Sequence, residues 1–112
     1  MKRGDVALVV LQGEMGKPRP GVIVQADELD DLPSVLVCPM SSDILQTSDT
    51  RPIVTPTPEN GLRVPTQIMT DKMNAIRRDR VRRVIGALDA TTCEALDSAL
   101  LVVLGLTKRA IR

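Results

Sequence analysis

Proline and glycine divide this chain into short apolar segments, and the shortness of these segments limits the folds available to it. The 112 residues include eight prolines and seven glycines, and the longest apolar run is ALLVVLGL at 99–106. A membrane span needs about 20 apolar residues, so we expect none. The basic and then apolar N-terminus is interpreted as a first strand rather than a signal peptide. The sequence therefore predicts one soluble, cytoplasmic domain over residues 1–112.

The short apolar segments predict a mainly β domain. Strands are expected at 5–12, 21–27, 33–40, 50–57, 66–73 and 82–88. Residues 74–81 are expected to form a short helical turn, and Asn60-Gly61 indicates a tight turn. Short connections favour antiparallel strand order. The predicted fold class is α+β, mainly β: a small, partly open antiparallel barrel with a long C-terminal helix.

The C-terminal helix is the clearest single element in the sequence. Thr91 is followed three residues later by Glu94, a spacing typical of a capping box with Thr91 as the N-cap. Apolar residues from Ala95 to Leu104 then recur at helical spacing. A helix of about 15 residues that packs on the sheet or on a partner is predicted.

Composition excludes several kinds of site. The chain has no histidine and no aromatic residue, so a usual zinc site and base stacking on aromatic rings are not expected. Its two cysteines, Cys38 and Cys93, lie outside any CxxC motif and are interpreted as small buried hydrophobes. A catalytic thiol would have no histidine beside it. Contacts to nucleic acid would have to come from arginines, hydroxyls, amides and the backbone.

Charge is distributed unevenly although the net charge is only +1. Residues 77–83, RRDRVRR, hold five arginines, and residues 27–31, DELDD, hold four acids. Such a separation can attract a polyanion to one face of a nearly neutral protein. The acidic run is interpreted as a solvated turn rather than a metal site, because carboxylates adjacent in sequence usually diverge in space.

Five segments in order resemble the MazF/PemK family of toxin endoribonucleases. They are KRGDVALV at 2–9, GKPRPGVIVQ at 16–25, VLVCPMSSDI at 35–44, VPTQIMTDKMNAIRRDRV at 64–81 and the helix at 91–106. The resemblance implies an SH3-like barrel, a homodimer and cleavage of single-stranded RNA at short sequences. It further implies that no metal or cofactor takes part, and that an antitoxin blocks the RNA groove.

By the same resemblance, the arginine of the Arg-Pro strand is catalytic, and here it is Arg19. A guanidinium is permanently charged and presents a planar fork of donors that matches phosphate oxygens. Pro18 and Pro20 flank it and restrict the backbone on both sides. We interpret the two prolines as a rigid mount for Arg19. The alternative is a loop arginine in a surface ion pair.

The resemblance also implies a hydroxyl at the end of the third strand, where this chain has Ser41, with Ser42 behind it. A hydroxyl there can hydrogen-bond the scissile phosphate or relay a proton. Alternatively, the two serines only satisfy backbone amides of a turn.

One part of the family pattern is absent. Where the family commonly has an arginine and, three residues on, an aspartate, this chain has Asn74 and Arg77. Either Arg77 replaces the missing arginine in a shifted geometry, or Arg19 and Ser41 suffice for catalysis, which we prefer. Candidate RNA-binding residues, besides the catalytic pair, are Lys17, Ser42, Lys72, Asn74, Arg77 and Arg78.

Two rival functions remain at this stage. A relative of the gyrase poison CcdB would share the fold without nuclease chemistry, but its C-terminal end is typically aromatic and acidic, whereas LTKRAIR is basic. An SH3-like module binding a protein partner would normally present aromatic side chains. A catalytically weak toxin is a third possibility.

RNA specificity is expected from hydrogen bonds in loops 12–18, 41–50 and 57–63.

Overall fold

Short antiparallel strands make up most of the protein. The computed structural model describes residues 1–11, 16–44 and 49–107. The strands are β1 (Asp5–Val9), β2 (Arg19–Ile23), β3 (Ser34–Ser41), β4 (Ile53–Val54), β5 (Thr66–Ile68), β6 (Asn74–Arg77) and β7 (Val81–Ala87). A helix, α1 (Ala90–Val103), follows, and 3₁₀ turns lie at Asp27–Leu29, Thr70–Lys72 and Arg78–Arg80.

The strands form one curled sheet in the order β4-β5-β3-β2-β1-β7, and β6 pairs with β3 beside this path. Strand β3 holds the sheet together because it has several neighbours: its first half pairs with β6, and its last two residues pair with β5. Pro39, which has no amide hydrogen, lies at the changeover between these two partners. The predicted partly open antiparallel barrel with a C-terminal helix is confirmed.

A segment between β4 and β5 joins the two ends of the open sheet. We call residues 57–64 the closing segment. It hydrogen-bonds to the opposite end of the sheet, where the Ala87 amide of β7 donates to the Glu59 carbonyl at 2.9 Å. Because β4 and β7 are the terminal strands of the sheet, this contact partly closes the barrel.

The buried side chain of Asn60 organises the closing segment. Its Oδ1 accepts hydrogen bonds from the amides of Thr57 and Leu62, both at 3.0 Å. Its Nδ2 donates to the Thr55 carbonyl at 2.9 Å, and its own amide donates to Thr57 Oγ1 at 3.1 Å. One side chain thus satisfies several backbone groups, which holds this turn in a single conformation. The predicted Asn60-Gly61 turn is therefore present.

Two apolar clusters lie on opposite faces of the sheet, because neighbouring strand residues point to opposite sides. One contains Val6 and is covered by Leu96 and Leu100 of α1. The other contains Ala7 and is completed by Ile76 of β6. In the described part of the chain no helix is long and apolar enough to cross a membrane.

The structure corrects several local predictions. The strand expected at 50–57 is limited to Ile53–Val54, and the strand expected at 21–27 is Arg19–Ile23. Residues 74–81 are strand β6 and a 3₁₀ turn rather than a single helical turn, because Ile76 packs against β3 and tertiary pairing outweighs local preference. The strand expected at 66–73 ends at Ile68. The helix begins at Ala90, and its N-cap is Asp89, whose carboxylate accepts from the Thr92 amide at 2.7 Å, so Thr91 is not the cap.

Candidate active site

A cleft of about 790 Å³ opens where β2 begins and β3 ends. Leu8 of β1 lies on its floor and pairs with Pro20 of β2 on one side and Arg83 of β7 on the other. A row of residues therefore crosses the sheet under the cleft. The closing segment forms another wall through Leu62 and Arg63.

Arg19 is the first residue of β2 and lines this cleft. Strands β2 and β3 pair Ile23 with Val37 and Gly21 with Pro39. That pairing ends two residues away from both Arg19 and Ser41, and both residues line the cleft. Arg19 is exposed and makes no side-chain hydrogen bond or ion pair with any described residue. The surface ion pair considered as an alternative is therefore not seen within the described chain.

Ser41, the last residue of β3, lines the same cleft, as does Ser42. Ser41 Oγ accepts a hydrogen bond from the Asp43 amide at 3.0 Å. This is the turn contact that the sequence left open as an alternative. Because the hydroxyl is used here only as an acceptor, its own proton can still be donated to a ligand.

The charge of the cleft is strongly positive. Among its described residues, four are cationic and one is acidic: Arg19, Arg63, Lys72 and Arg83, against Asp43. None of the four cations is ion-paired with another described residue. A chain with a net charge of only +1 thus concentrates positive charge in one concave site, where field lines are focused and a polyanion is attracted.

Asp71, the residue before Lys72, forms an ion pair with Arg51. Arg51 donates two parallel hydrogen bonds to its carboxylate, Nε to Oδ1 at 2.8 Å and Nη2 to Oδ2 at 2.7 Å. This hydrogen bonding lowers the pKa of Asp71 below its ordinary value. Asp71 is therefore a structural ion-pair partner and is poorly suited to accept a proton.

Four predicted RNA-binding residues do not line the cleft: Lys17, Asn74, Arg77 and Arg78. Arg77 pairs with Asp79 at 3.1 Å, and Arg78 donates to the carbonyls of Leu32 and Leu29. Strand β6 runs beside the start of β3, so Arg77 is paired with Ser34, seven residues before Ser41. That separation is about 23 Å along an extended strand. Arg77 and Arg78 therefore lie outside this cleft, and their contact with RNA stays a prediction.

The cysteines take no part in the cleft. Cys38 is fully buried, and burial raises the pKa of its thiol to about 11. Cys93 is partly buried, and burial also raises its thiol pKa. Neither thiol favours the thiolate form that a nucleophile requires. The interpretation as a small buried hydrophobe is confirmed for Cys38, whereas Cys93 is only half-buried.

Sequence reasoning missed three charged residues of the cleft: Asp43, Arg63 and Arg83. Asp43 could have been found from its place two residues after Ser41. Arg63 follows the predicted Asn60-Gly61 turn, although nothing local shows that this turn folds back over the sheet. Arg83 belongs to the arginine run, but its orientation depends on the register between β7 and β1. Each therefore depends on contacts between segments distant in sequence.

Fold and cleft together define a small β-barrel protein with a site for a polyanion. The sequence profile of a family described as PemK-like, MazF-like toxin of type II toxin-antitoxin system matches residues 2–104, and the chain belongs to that family. This confirms the resemblance inferred from the five sequence segments.

Individual relatives agree with this assignment. A Mycolicibacterium smegmatis protein described as probable endoribonuclease MazF is 36% identical over 107 residues, which are 95% of this chain and 98% of that protein. The structure of Mycobacterium tuberculosis toxin MazF-mt6 superposes with a TM-score of 0.79 at 25% identity, covering 93% of this chain and 99% of that one. A mycobacterial endoribonuclease solved with its cognate antitoxin has a TM-score of 0.82 at 19% identity, covering 97% and 99% respectively, and this likeness shows the fold alone.

Proposed function

We propose that this MazF-like toxin is an endoribonuclease that cuts single-stranded RNA in the cationic cleft. In the proposed reaction, a ribose 2′-hydroxyl loses its proton and attacks the adjacent phosphorus, the bond to the 5′-oxygen breaks, and that oxygen takes up a proton from solvent, without a metal ion. The observation that carries the proposal is the convergence of Arg19 and Ser41 on one concave, positively charged site. Family membership and the 36% identity to a probable endoribonuclease support it.

Arg19 is proposed to stabilise the pentavalent phosphorane. Negative charge increases on the non-bridging oxygens as the 2′-oxygen attacks, and a guanidinium fork can donate to two of them at once. Because Arg19 lies on a hydrogen-bonded strand and is flanked by prolines, little backbone freedom is lost when it engages the phosphate. Its charge is not neutralised by another described residue.

Ser41 is proposed to donate a hydrogen bond from its hydroxyl to a phosphate oxygen that Arg19 leaves free. Its Oγ is already oriented by the Asp43 amide, which leaves the hydroxyl hydrogen for the substrate. Asp43 is the acidic side chain of the cleft within the described residues, so it is the described group best placed to accept the 2′-hydroxyl proton. Arg77, which occupies the family's usual acidic position, lies elsewhere.

The remaining cleft residues are proposed to hold RNA. Lys72 and Ser42 line the cleft and can contact phosphates on either side of the scissile bond. Lys17 is exposed two residues before Arg19, where a longer RNA would leave the cleft. RNA contacts by Asn74, Arg77 and Arg78 would require a strand that extends well beyond the cleft, and these three stay predictions.

Partners follow from the same site. One structural neighbour is an endoribonuclease solved in complex with its cognate antitoxin, and we propose that an antitoxin with an acidic segment occupies this cleft and excludes RNA.

A homodimer is also proposed, because Leu101, Leu104 and Leu106 are exposed beside an apolar groove of about 370 Å³ along α1. Sedimentation at micromolar concentration should show a dimer, and a stable monomer there would contradict it.

The test of function is cleavage in excess EDTA. Purified protein incubated with mixed-sequence single-stranded RNA should produce fragments with 2′,3′-cyclic phosphate and 5′-hydroxyl ends, because the 2′-oxygen is the nucleophile. Chelator should change the rate less than twofold. Intact RNA in every condition would reduce the chain to an inactive toxin or a CcdB-like or SH3-like binding module.

A further inference from the structure

Arg63 is the cation that the closing segment contributes to the cleft. Arg19 and Arg83 lie on strands, and Lys72 lies on the turn after β5, whereas Arg63 belongs to the closing segment. Its side chain is exposed and has no hydrogen bond or ion pair with another residue of the described ranges. A free guanidinium in a substrate cleft is available to a ligand.

The backbone that carries Arg63 is held firmly in place. Asn60 satisfies the amide of Leu62, the residue directly before Arg63, at 3.0 Å. Gly61 has φ of +73°, and a β-carbon there would overlap the Ile85 carbonyl oxygen of β7. The closing segment therefore lies on β7 with no room for a side chain between the two backbones. These backbone contacts fix the position of the Arg63 α-carbon, and directional hydrogen bonding by its side chain requires a fixed starting point.

The position of the reactive phosphate decides what faces the closing segment. Arg63 lines the same cleft as Arg19 and Ser41, so a base attached to a phosphate held by that pair is within the space that Arg63 borders. The chain has no aromatic residue, so bases cannot be held by stacking on aromatic rings. They must be distinguished by hydrogen bonds to their edges, as is usual for unpaired RNA.

The chemistry of the guanidinium favours guanine. Its fork of parallel donors matches two adjacent acceptors, which guanine presents in O6 and N7 and unpaired cytosine presents in N3 and O2. Adenine and uracil have no such pair, and the guanine pair is the most common specific partner of arginine. We propose that Arg63 is the specificity-determining residue of this toxin and that it selects a guanine next to the scissile phosphate. This inference rests on the proposed function, since it assumes that RNA occupies the cleft.

A charge-preserving variant separates base reading from phosphate attraction. Arg63→Lys keeps the positive charge but loses the fork. Sequencing of cut ends from a randomised RNA pool should show guanine enriched at one position beside the cut for the native protein. In Arg63→Lys that enrichment should fall, because an ammonium aligns with O6 and N7 less well than a planar fork, by up to about 150-fold, the limit for complete loss of one bidentate base contact. Cleavage at sites that lack this guanine should change far less, and Arg82→Lys, outside the cleft on β7, should retain the native preference.

A modified base supplies the second half of the test. Replacing the selected guanine by 7-deazaguanine removes N7 and should slow the native protein, but should have little further effect on Arg63→Lys. Unchanged guanine preference in Arg63→Lys, or additive losses with 7-deazaguanine, would overturn the inference in favour of a simple phosphate contact. Binding of RNA with a 2′-deoxy residue at the cut site is measured in parallel. Binding that depends on guanine, with no cleavage of the unmodified RNA, would contradict the proposed function and support this inference. Binding that does not depend on guanine would contradict this inference.

Discussion

Arg19→Ala should slow RNA cleavage by about 10²- to 10³-fold, the usual cost of losing one donor to a transition-state oxyanion. The loss should fall on the chemical step measured in single-turnover reactions, because the phosphorane carries more charge than the bound RNA. Arg19→Lys should retain only part of the activity, since an ammonium has the charge without the fork. The measurement is the cleavage rate of a single-stranded RNA in EDTA at saturating protein.

Arg82→Ala is the matched control for this experiment. Arg82 is an exposed arginine on β7 that does not line the cleft, so its loss should change the rate less than about twofold, as expected of one screened surface charge. The melting temperature of both variants should equal that of the native protein. Arg19 makes no side-chain hydrogen bond or ion pair with a described residue that its loss could remove. An Arg19→Ala protein that keeps more than a tenth of native activity would remove Arg19 from the catalytic machinery.

Gly86→Ala should be among the most destabilising single-methyl additions in this fold. A β-carbon at Gly86 would overlap the carbonyl oxygen of Glu59 and lie 2.6 Å from that of Asn60. Both obstacles are backbone atoms of the closing segment, which the Asn60 hydrogen bonds hold in place. The free energy of unfolding should fall by more than about 3 kcal/mol, at the upper end for overpacking. Denaturant unfolding of purified protein measures it.

Gly105→Ala provides the comparison, because Gly105 has φ of +72° but open space around its α-carbon. There the cost should be about 1 kcal/mol, from backbone conformation alone. Failure of Gly86→Ala to fold at all would agree with the expectation. A Gly86→Ala protein as stable as Gly105→Ala would show that the closing segment does not pack on β7 as described.

Local patterns were enough to predict the principal strands and the helix. Alternating turn residues and aliphatic runs indicate short strands, and helical spacing from Ala95 to Leu104 indicates a helix wherever it packs. Arg19 and Ser41 could also be predicted to share one site, because they lie at the facing ends of two strands that pair in antiparallel order. Both residues line the cleft.

Local patterns failed where a distant partner decided the outcome. Residues 74–77 became a strand because β3 offered an open edge at its first half. For the same reason Arg77 and Arg78 lie outside the cleft. Specificity was expected from three loops; those at 12–18 and 41–50 extend partly beyond the described residues, whereas 57–63 includes Arg63.

The sequence by itself determined which chemical groups this protein can use: aliphatic packing, guanidinium and hydroxyl donors, and neither imidazole nor aromatic rings. It also placed a proline-flanked arginine directly before a strand, and the structure shows that the strand begins at Arg19 itself. Only the tertiary structure decided that four separated cations share one cleft and that Asp71 is held by Arg51. The physical reason is that a side chain's neighbours depend on strand register and on the return of the closing segment to β7, which are cooperative properties of the whole sheet.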